Sequence, residues 1–255
     1  PLYYSMHKDM LVFASEIKAM LPFLGRLRLS PEGMAQVFTF WAPVAPRTAF
    51  DGIRQLRPGQ CMVFREGSTE SFQYWDVRFP AGGDHDLIEE GKAMAMLHDL
   101  LDESVSIRLR SDVPVGAYLS GGLDSSIISA LVKRHVPGME TFSVSFSDPS
   151  FDEAAFQESM ARSLGTHHHV RKIGYEDIGS VFQQVVWHAE TPVLRSAPAP
   201  MFLLSQLARE NGIKVVLTGE GADLILTYAT NSLSQTNLMS DDRLYYPRFL
   251  KATYR

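Results

Sequence analysis

A turn rich in serine and glycine is the part of the chain best suited to chemistry. Residues 120–126 are Ser-Gly-Gly-Leu-Asp-Ser-Ser. The apolar, β-branched run at 113–119 predicts a buried strand before the turn, and the apolar periodicity of 127–132 predicts a helix after it. The first backbone N–H groups of a helix have no intrahelical partner, and the helix dipole favours negative charge there. The sequence therefore predicts an anion site at this turn.

The side chains of the turn suit a phosphate bound together with magnesium. Glycine lets the backbone approach a phosphate closely, serine hydroxyls donate hydrogen bonds, and the carboxylate of Asp124 can hold a magnesium ion. The glycines are Gly121 and Gly122, and the serines are Ser120, Ser125 and Ser126. The alternative is an ordinary strand-to-helix turn capped by serine. The flanking strand and helix favour a nucleotide phosphate loop, although neither a Walker loop nor a dinucleotide fingerprint is present.

A second glycine-rich turn carries further carboxylates. Residues 218–223 are Thr-Gly-Glu-Gly-Ala-Asp, and they follow a compact β-branched run. Asp124 and Asp223 therefore follow two different predicted strands and could converge on one magnesium ion bound to pyrophosphate. Glu220 lies between two glycines, where it could receive a substrate amino group or position an attacking amine. The alternative for each acidic residue is a solvated loop position.

Two other features are interpreted as structural. His167, His168 and His169 are consecutive, and adjacent residues of a strand point to opposite faces, so the three cannot form one tetrahedral metal site. We therefore expect no structural metal there. Cys61 lies inside a predicted strand with no histidine nearby in sequence, which indicates a buried, inert thiol.

The hydrophobic periodicity from Leu87 onwards alternates between helix and strand. The predicted strands are 113–119, 139–146, 168–173 and 214–218, and the predicted helices are 87–105, 127–132, 153–164 ending at Gly165, 177–188 and 201–210. The first of these helices has Met94, Leu97, Leu101 and Val105 on one face. Such alternation predicts parallel β-α units with right-handed crossovers, in which ligands bind at the carboxyl ends of the strands.

The sequence pattern of residues 1–77 predicts the C-terminal part of a β-rich domain. The expected elements are a hairpin of strands 2–5 and 10–14, a helical turn at 15–21 capped by Ser15 and closed by Pro22, a helix starting at Ser30 with Met34, Val37 and Phe38 buried, and strands near 60–64 and 71–74. The composition of 80–84, Pro-Ala-Gly-Gly-Asp, is typical of a linker.

The overall composition is that of an ordinary globular protein. The 255 residues are 45% hydrophobic and 21% charged, with a net charge of −5 and one cysteine. A chain without a basic field is not expected to bind nucleic acid or a membrane surface. No apolar run is of bilayer length, and the single cysteine fits a reducing compartment, so a cytoplasmic location is expected. The chain begins with proline in strand-like sequence, and we interpret it as a piece of a longer protein.

Taken together, the motifs resemble the glutamine-hydrolysing asparagine synthetase family over nearly the whole chain. The stretches that carry the resemblance are 1–4, 13–19, 56–59, 74–75, 120–126, 151–153, 164–168, 190–192 and 217–223. Within this set, 120–126 resembles the PP-loop of the ATP pyrophosphatases, which cleave ATP between the α and β phosphates. The set is specific in its order and spacing.

The resemblance implies an α/β fold with a parallel-sheet PP-loop domain, preceded by the tail of an N-terminal-nucleophile glutaminase domain. The implied boundaries are 1–77 for the glutaminase part, 78–92 for the linker and helix start, and 93–255 for a truncated synthetase domain. The implied reaction adenylates the β-carboxylate of aspartate with Mg-ATP and releases pyrophosphate. Ammonia from glutamine then attacks the β-aspartyl-AMP. The implied partners are aspartate, glutamine or ammonia, and ATP, and a homodimer is a further expectation.

Site residues follow from the same resemblance, position by position. Leu119, Val144, Thr218 and Gly219 resemble the adenosine contacts; Ser120, Gly121, Gly122, Asp124 and Ser125 resemble the pyrophosphate loop; Asp124 and Asp223 resemble the magnesium ligands; Glu220 resembles the residue beside the aspartyl-AMP. Asp124 and Glu220 are the implied catalytic residues.

Departures from the family pattern leave alternatives open. The family's nucleophilic cysteine and a catalytic lysine have no counterpart in the chain, and Leu224 begins a run that replaces an expected Glu and aromatic-glycine-tyrosine sequence. We therefore expect that this chain alone neither hydrolyses glutamine nor completes amide synthesis. The alternatives are an amidotransferase that acts on another carboxylate, β-lactam synthetase-like or peptide-amidating, and a nucleotide-binding remnant without catalysis.

Overall fold

The computed structural model describes residues 1–77 and 88–220. The chain divides into two compact units, Pro1–Gly83 with Val186–Arg195, and Asp84–Val185 with Ser196–Arg255. The predicted linker at 80–84, Asp223 and everything from Leu224 onwards lie outside the described residues. The division at 77/78 and 92/93 stays a prediction, and the sequence did not indicate that a short segment near residue 190 joins the first unit.

The first unit contains antiparallel strands and short helices. Its elements are β1 (Tyr3–His7), β2 (Met10–Ala14), a 3₁₀ helix (Ile17–Met20), α1 (Leu21–Leu24), α2 (Pro31–Phe40), β3 (Arg54–Gln55), β4 (Gln60–Arg65) and β5 (Ser68–Gln73). One sheet has the order β2-β1-β3, and β4 pairs with β5 in a second. The predicted hairpin is confirmed, with Tyr3 opposite Ala14. Tyr3, Ile17, Met20 and Ile53 form a buried cluster in this unit.

Some local expectations for the first unit are wrong. Pro22 lies in the first turn of α1 and does not close the preceding turn, because the first turn needs no N–H from proline. The 3₁₀ helix starts after Glu16, so Ser15 is not its cap. Ser30 does cap α2, and its hydroxyl accepts from the Gly33 N–H at 3.1 Å. Phe38 of α2 is 64% exposed.

A buried carboxylate binds the segment Val186–Arg195 to the start of the chain. Glu190 accepts hydrogen bonds from the N–H groups of Ile17 at 2.9 Å and Lys18 at 2.8 Å. These N–H groups lie at the start of the 3₁₀ helix, where a helix lacks its own acceptors. Arg195 lies over the Trp41 ring, 3.5 Å from its centroid. The Glu190 carboxylate thus completes a helix start 172 or more residues away in sequence.

The second unit is a parallel sheet with helices packed against it. Its elements are α3 (Glu90–Arg108), β6 (Val115–Tyr118), α4 (Leu123–His135), β7 (Glu140–Phe146), α5 (Ala154–Leu164), β8 (His167–Ile173), α6 (Tyr175–Ala189, whose end joins the first unit), α7 (Pro198–Glu210) and β9 (Val215–Leu217). The strand order is β8-β7-β6-β9, and all pairs are parallel. The predicted α/β class with a parallel sheet and preceding antiparallel strands is confirmed.

Both faces of this sheet are covered. Neighbouring residues of β6 enter different clusters: Ala117 packs with residues of α3 and α4, and Tyr118 packs with residues of α7. Ser143 and Ser145 of β7 are buried as well as Phe142, because an internal parallel strand has no solvent face. The predicted α3 face is correct near Val105, which is buried, and wrong at Met94, which is 65% exposed. Within the described residues, no helix is long and apolar enough to cross a bilayer.

Candidate functional site

The serine-glycine turn leaves the sheet at the end of its central strand β6. The Leu119 N–H donates to the Phe142 carbonyl at 3.0 Å, and the Ser143 hydroxyl donates to the Leu119 carbonyl. Leu119 is completely buried, whereas Ser120 is exposed. The sheet therefore fixes the chain up to Leu119 and releases it at Ser120, directly before α4 begins.

Hydrogen bonds inside the turn converge on the buried hydroxyl of Ser125. Its Oγ accepts from the Ser120 N–H at 3.2 Å, lies 2.9 Å from the Ser120 Oγ and donates to the Gly122 carbonyl at 3.1 Å. The Ser120 Oγ in turn accepts from the Gly122 N–H at 3.3 Å. The hydroxyl of Ser125 thus fixes the shape of the turn through hydrogen bonds, whereas Ser120, Gly122 and Leu123 are exposed. The predicted pyrophosphate contacts of these residues stay predictions.

Gly121 is required by both its backbone and its surroundings. Its φ is +83°, in the left-handed region. A Cβ at this position would lie 2.7 Å from the Phe156 Cβ and 2.9 Å from the Gln157 nitrogen. The turn is therefore seated directly on the first turns of α5, closer than any other residue type allows.

The second glycine-rich turn meets the first at Gly219. Strand β9 pairs with β6 on the side opposite to β7, so the order of successive strands changes direction at β6. Ligands bind at such a point in open α/β sheets. A Cβ on Gly219 would lie 2.7 Å from the Asp124 carbonyl carbon and 2.8 Å from the Ser125 nitrogen. The structure thus brings Gly219 to the start of α4. The predicted adenosine contacts of Thr218 and Gly219 stay predictions. Glu220 is exposed at the end of the described residues, and Asp223 lies beyond them.

Val144, a predicted adenosine contact, lies near the end of β7 and is half-buried. Its carbonyl accepts a hydrogen bond at 3.0 Å from the Nε2 of Gln157, which is 3% exposed. Sequence reasoning missed Gln157 because nothing in a helical pattern distinguishes a buried glutamine from a solvated one.

An acidic residue follows β7 at the same edge of the sheet. The Asp148 carboxylate accepts from the Ser150 N–H and from the Tyr175 hydroxyl, both at 2.9 Å. The Ser150 backbone hydrogen bond, followed by that of Tyr175, lowers the pKa of the Asp148 carboxyl below its ordinary value. The same contact with Asp148 raises the pKa of the Tyr175 hydroxyl. The Asp148 carboxylate therefore stays negatively charged at neutral pH.

The three histidines alternate across β8, as expected for a strand. The Glu140 carboxylate lies 3.0 Å from the His167 Nδ1 and 2.6 Å from the His169 Nε2, and the His168 Nδ1 lies 2.9 Å from the Thr141 Oγ1. Burial alone would raise the pKa of the Glu140 carboxyl, but the two histidine hydrogen bonds lower it. Within 1–77 and 88–220, no three potential ligand side chains are close enough to hold a metal ion. The absence of a structural metal stays a prediction.

Cys61 does not fit the expected environment. It lies in β4, but it is only half-buried, because β4 belongs to a two-stranded sheet that shields it incompletely. The prediction of a buried thiol is therefore wrong. The residue lies in the first unit, outside the site described above.

The side chain of Asp124 suits a magnesium ion whose other ligands are phosphate oxygens, and such an ion needs no cluster of protein carboxylates. Mg²⁺ is usually held by one or two carboxylates plus the phosphates of the substrate, so a single described carboxylate beside a phosphate loop is sufficient. Asp124 is half-buried in the first turn of α4. Gly219 lies against it, and Asp223 follows four residues later in the sequence.

Comparison with known proteins gives matches over both parts of the chain. The asparagine synthase family profile matches residues 96–244, and the glutamine amidotransferase domain profile matches 1–75. Asparagine synthetase [glutamine-hydrolyzing] 1 of Bacillus subtilis is 31% identical over 88% of this chain and 35% of its own length. Amidase chyE of Penicillium rubens is 34% identical over 87% of this chain and 35% of its own length. The chain thus spans about a third of the length of these relatives.

Among solved structures, an NH3-dependent NAD synthetase from Campylobacter jejuni is similar. The match has a TM-score of 0.35 and 19% sequence identity, and it covers 55% of this chain and 61% of that one.

Proposed function

Because the chain belongs to the asparagine synthase family, we propose that it is part of an ATP-dependent ligase that makes an amide from a carboxylate. The proposed substrates are aspartate, ATP and ammonia released from glutamine. The match of 1–75 to a glutamine amidotransferase domain supports the ammonia source. The proposed division is 1–77 for the glutaminase part, 78–92 for the connection and 93–255 for the synthetase part.

The observation that carries the proposal is the shape of the turn at 120–125. The Ser125 hydroxyl forms hydrogen bonds to the backbone of the turn. Gly121 packs against α5, and Gly219 packs against the start of α4. Such a turn presents backbone N–H groups and a helix N-terminus to an anion. A pyrophosphate leaving group develops negative charge, so fixed donors there stabilise the transition state.

The proposed chemistry has two steps. An oxygen of the aspartate β-carboxylate attacks the α phosphorus of ATP, the bond to the β-phosphate oxygen breaks, and pyrophosphate leaves. The ammonia nitrogen then attacks the acyl carbon, AMP leaves, and the nitrogen loses a proton. In this scheme Glu220 is the carboxylate beside the acyl-adenylate, where it positions the amine. Leu119, Val144, Thr218 and Gly219 line the adenosine.

A magnesium ion bound with ATP would be held by Asp124 and Asp223, and it would neutralise phosphate charge. The fit rests on Asp124, since Asp223 is outside the described residues. Asp124 approaches the ligand from the first turn of α4, which complements the N–H groups of the same turn.

Calorimetry with Mg-ATP tests the binding step. Asp124→Asn is expected to weaken Mg-ATP binding by about tenfold or more, because a charge-assisted ligand is lost. Asp112→Asn is the matched control, since Asp112 is an exposed aspartate before β6. Equal affinity of wild type and Asp124→Asn would exclude the magnesium role, and no binding by the wild type would refute the nucleotide site.

A second candidate is amidation of a carboxylate other than aspartate, as in a β-lactam synthetase-like or peptide-amidating enzyme. It is favoured by a relative named as an amidase, which is 34% identical to this chain, compared with 31% for a relative named as an asparagine synthetase. ATP–pyrophosphate exchange by the full-length parent protein, with aspartate and with other carboxylates, separates the two candidates. Exchange that depends on aspartate supports the first, and exchange that depends only on another carboxylate supports the second.

A further inference from the structure

The end of β6 leaves a gap in the hydrogen bonding of the sheet beside the phosphate turn. Alternate residues of a strand direct their carbonyls to the same neighbouring strand. The Phe142 carbonyl is bonded by the Leu119 N–H. The carbonyl of Val144 faces the same side, but β6 has ended by then. This carbonyl therefore needs a donor that no strand supplies.

Gln157 supplies that donor. Its Nε2 donates to the Val144 carbonyl at 3.0 Å, and the residue is 3% exposed. The backbone nitrogen of the same residue lies where a Gly121 Cβ would approach to 2.9 Å. One residue of α5 thus contacts both the end of β7 and the glycine of the turn.

The amide orientation is determined by this contact, because the opposite orientation would place Oε1 against the Val144 carbonyl oxygen. The Oε1 is buried and has no hydrogen-bond partner among the described residues. A buried glutamine with an unused acceptor is costly, and methionine or leucine would fill the same space without that cost. The donor, and not the volume, is the feature that distinguishes glutamine here.

We infer that Gln157 is a positioning residue for the nucleotide. Its side chain donates the hydrogen bond that the Val144 carbonyl lacks at the end of β7. This bond fixes the first turns of α5, against which Gly121 of the phosphate turn packs. The inference rests on the proposed function, because it assigns the turn to ATP. Gln157 acts through Val144 and Gly121.

Substitutions that keep the volume but change the donor test the inference on this chain. Gln157→Met removes the donor and is expected to weaken Mg-ATP binding by about tenfold, the effect of losing one buried hydrogen bond. Gln157→Glu can donate only when its carboxyl is protonated, and burial raises the pKa of such a carboxyl. Its Mg-ATP affinity is therefore expected to fall between pH 6 and pH 8 relative to the wild type. Gln183→Met, an exposed position in α6, is the matched control.

Amide hydrogen exchange of 120–122 separates this inference from the proposed function, because it needs no nucleotide. Faster exchange of these residues in Gln157→Met than in Gln183→Met supports the positioning of the turn by Gln157, even if the wild type does not bind Mg-ATP. A wild type that does not bind Mg-ATP would refute the proposed nucleotide site, but it would not refute the positioning of the turn by Gln157. Wild-type exchange in a folded Gln157→Met, with unchanged affinity where the wild type binds, would overturn the inference and leave the proposed function standing.

Discussion

Replacing Gly121 by alanine should damage the second unit through two separate costs. The φ of +83° costs a residue with a side chain about 1–2 kcal/mol. The new Cβ would also lie 2.7 Å from the Phe156 Cβ, and such overpacking costs about 1–3 kcal/mol. We therefore expect Gly121→Ala to lower the free energy of unfolding by about 2–5 kcal/mol. A loss of 1 kcal/mol corresponds to a fall of about 2–4 °C in Tm for a protein of this size.

Gly165→Ala and Gly212→Ala separate the two costs. Their φ values are +62° and +78°, and a Cβ at either position meets nothing within 4 Å. Each is expected to lose only the backbone cost of about 1–2 kcal/mol and to bind Mg-ATP like the wild type. Thermal unfolding followed by circular dichroism, together with calorimetry, measures both effects. A Gly121→Ala protein as stable as these two controls would refute the close seating of the turn on α5.

Two further predictions concern titration and a long-range contact. Burial, with a further contribution from His169, lowers the pKa of the His168 imidazole below its ordinary value of 6.5; the unfolded chain therefore binds the proton first, and stability present above pH 6.5 is lost as the pH falls. His168→Asn should make the urea midpoint less sensitive to pH between 7 and 5, and an unchanged sensitivity would contradict this. Glu190→Ala leaves the buried N–H of Ile17 and that of Lys18 without their acceptor and should cost roughly 2–5 kcal/mol in urea unfolding. The control Glu210→Ala removes an exposed ion pair with Arg171 and should cost at most about 1 kcal/mol. If Glu190→Ala lost no more unfolding free energy than this control, the proposed stabilising role of Glu190 would be wrong.

The sequence determined the features that depend on local chemistry. Ser30 caps α2, and Gly165 ends α5 in the left-handed conformation, as their residue types predicted. The strand, turn and helix around 120–126 were predicted for the same reason, since periodicity and glycine act over a few residues. The parallel order of the second unit followed from alternating elements. Local expectations were wrong where a neighbouring chain segment decides burial, as at Phe38, or where a residue type fits two positions, as at Pro22.

Only the tertiary structure decided which distant segments meet. Glu190 lies 173 residues from Ile17, and Gly219 lies against Asp124 only because β9 pairs with β6. The buried Gln157 has the same helical periodicity as a solvated glutamine, and its role depends on β6 ending before β7. Periodicity fixes which face of an element is apolar, but pairing depends on the summed packing of segments far apart in the chain. The motif could therefore be predicted from the sequence, while the residues that support it could not.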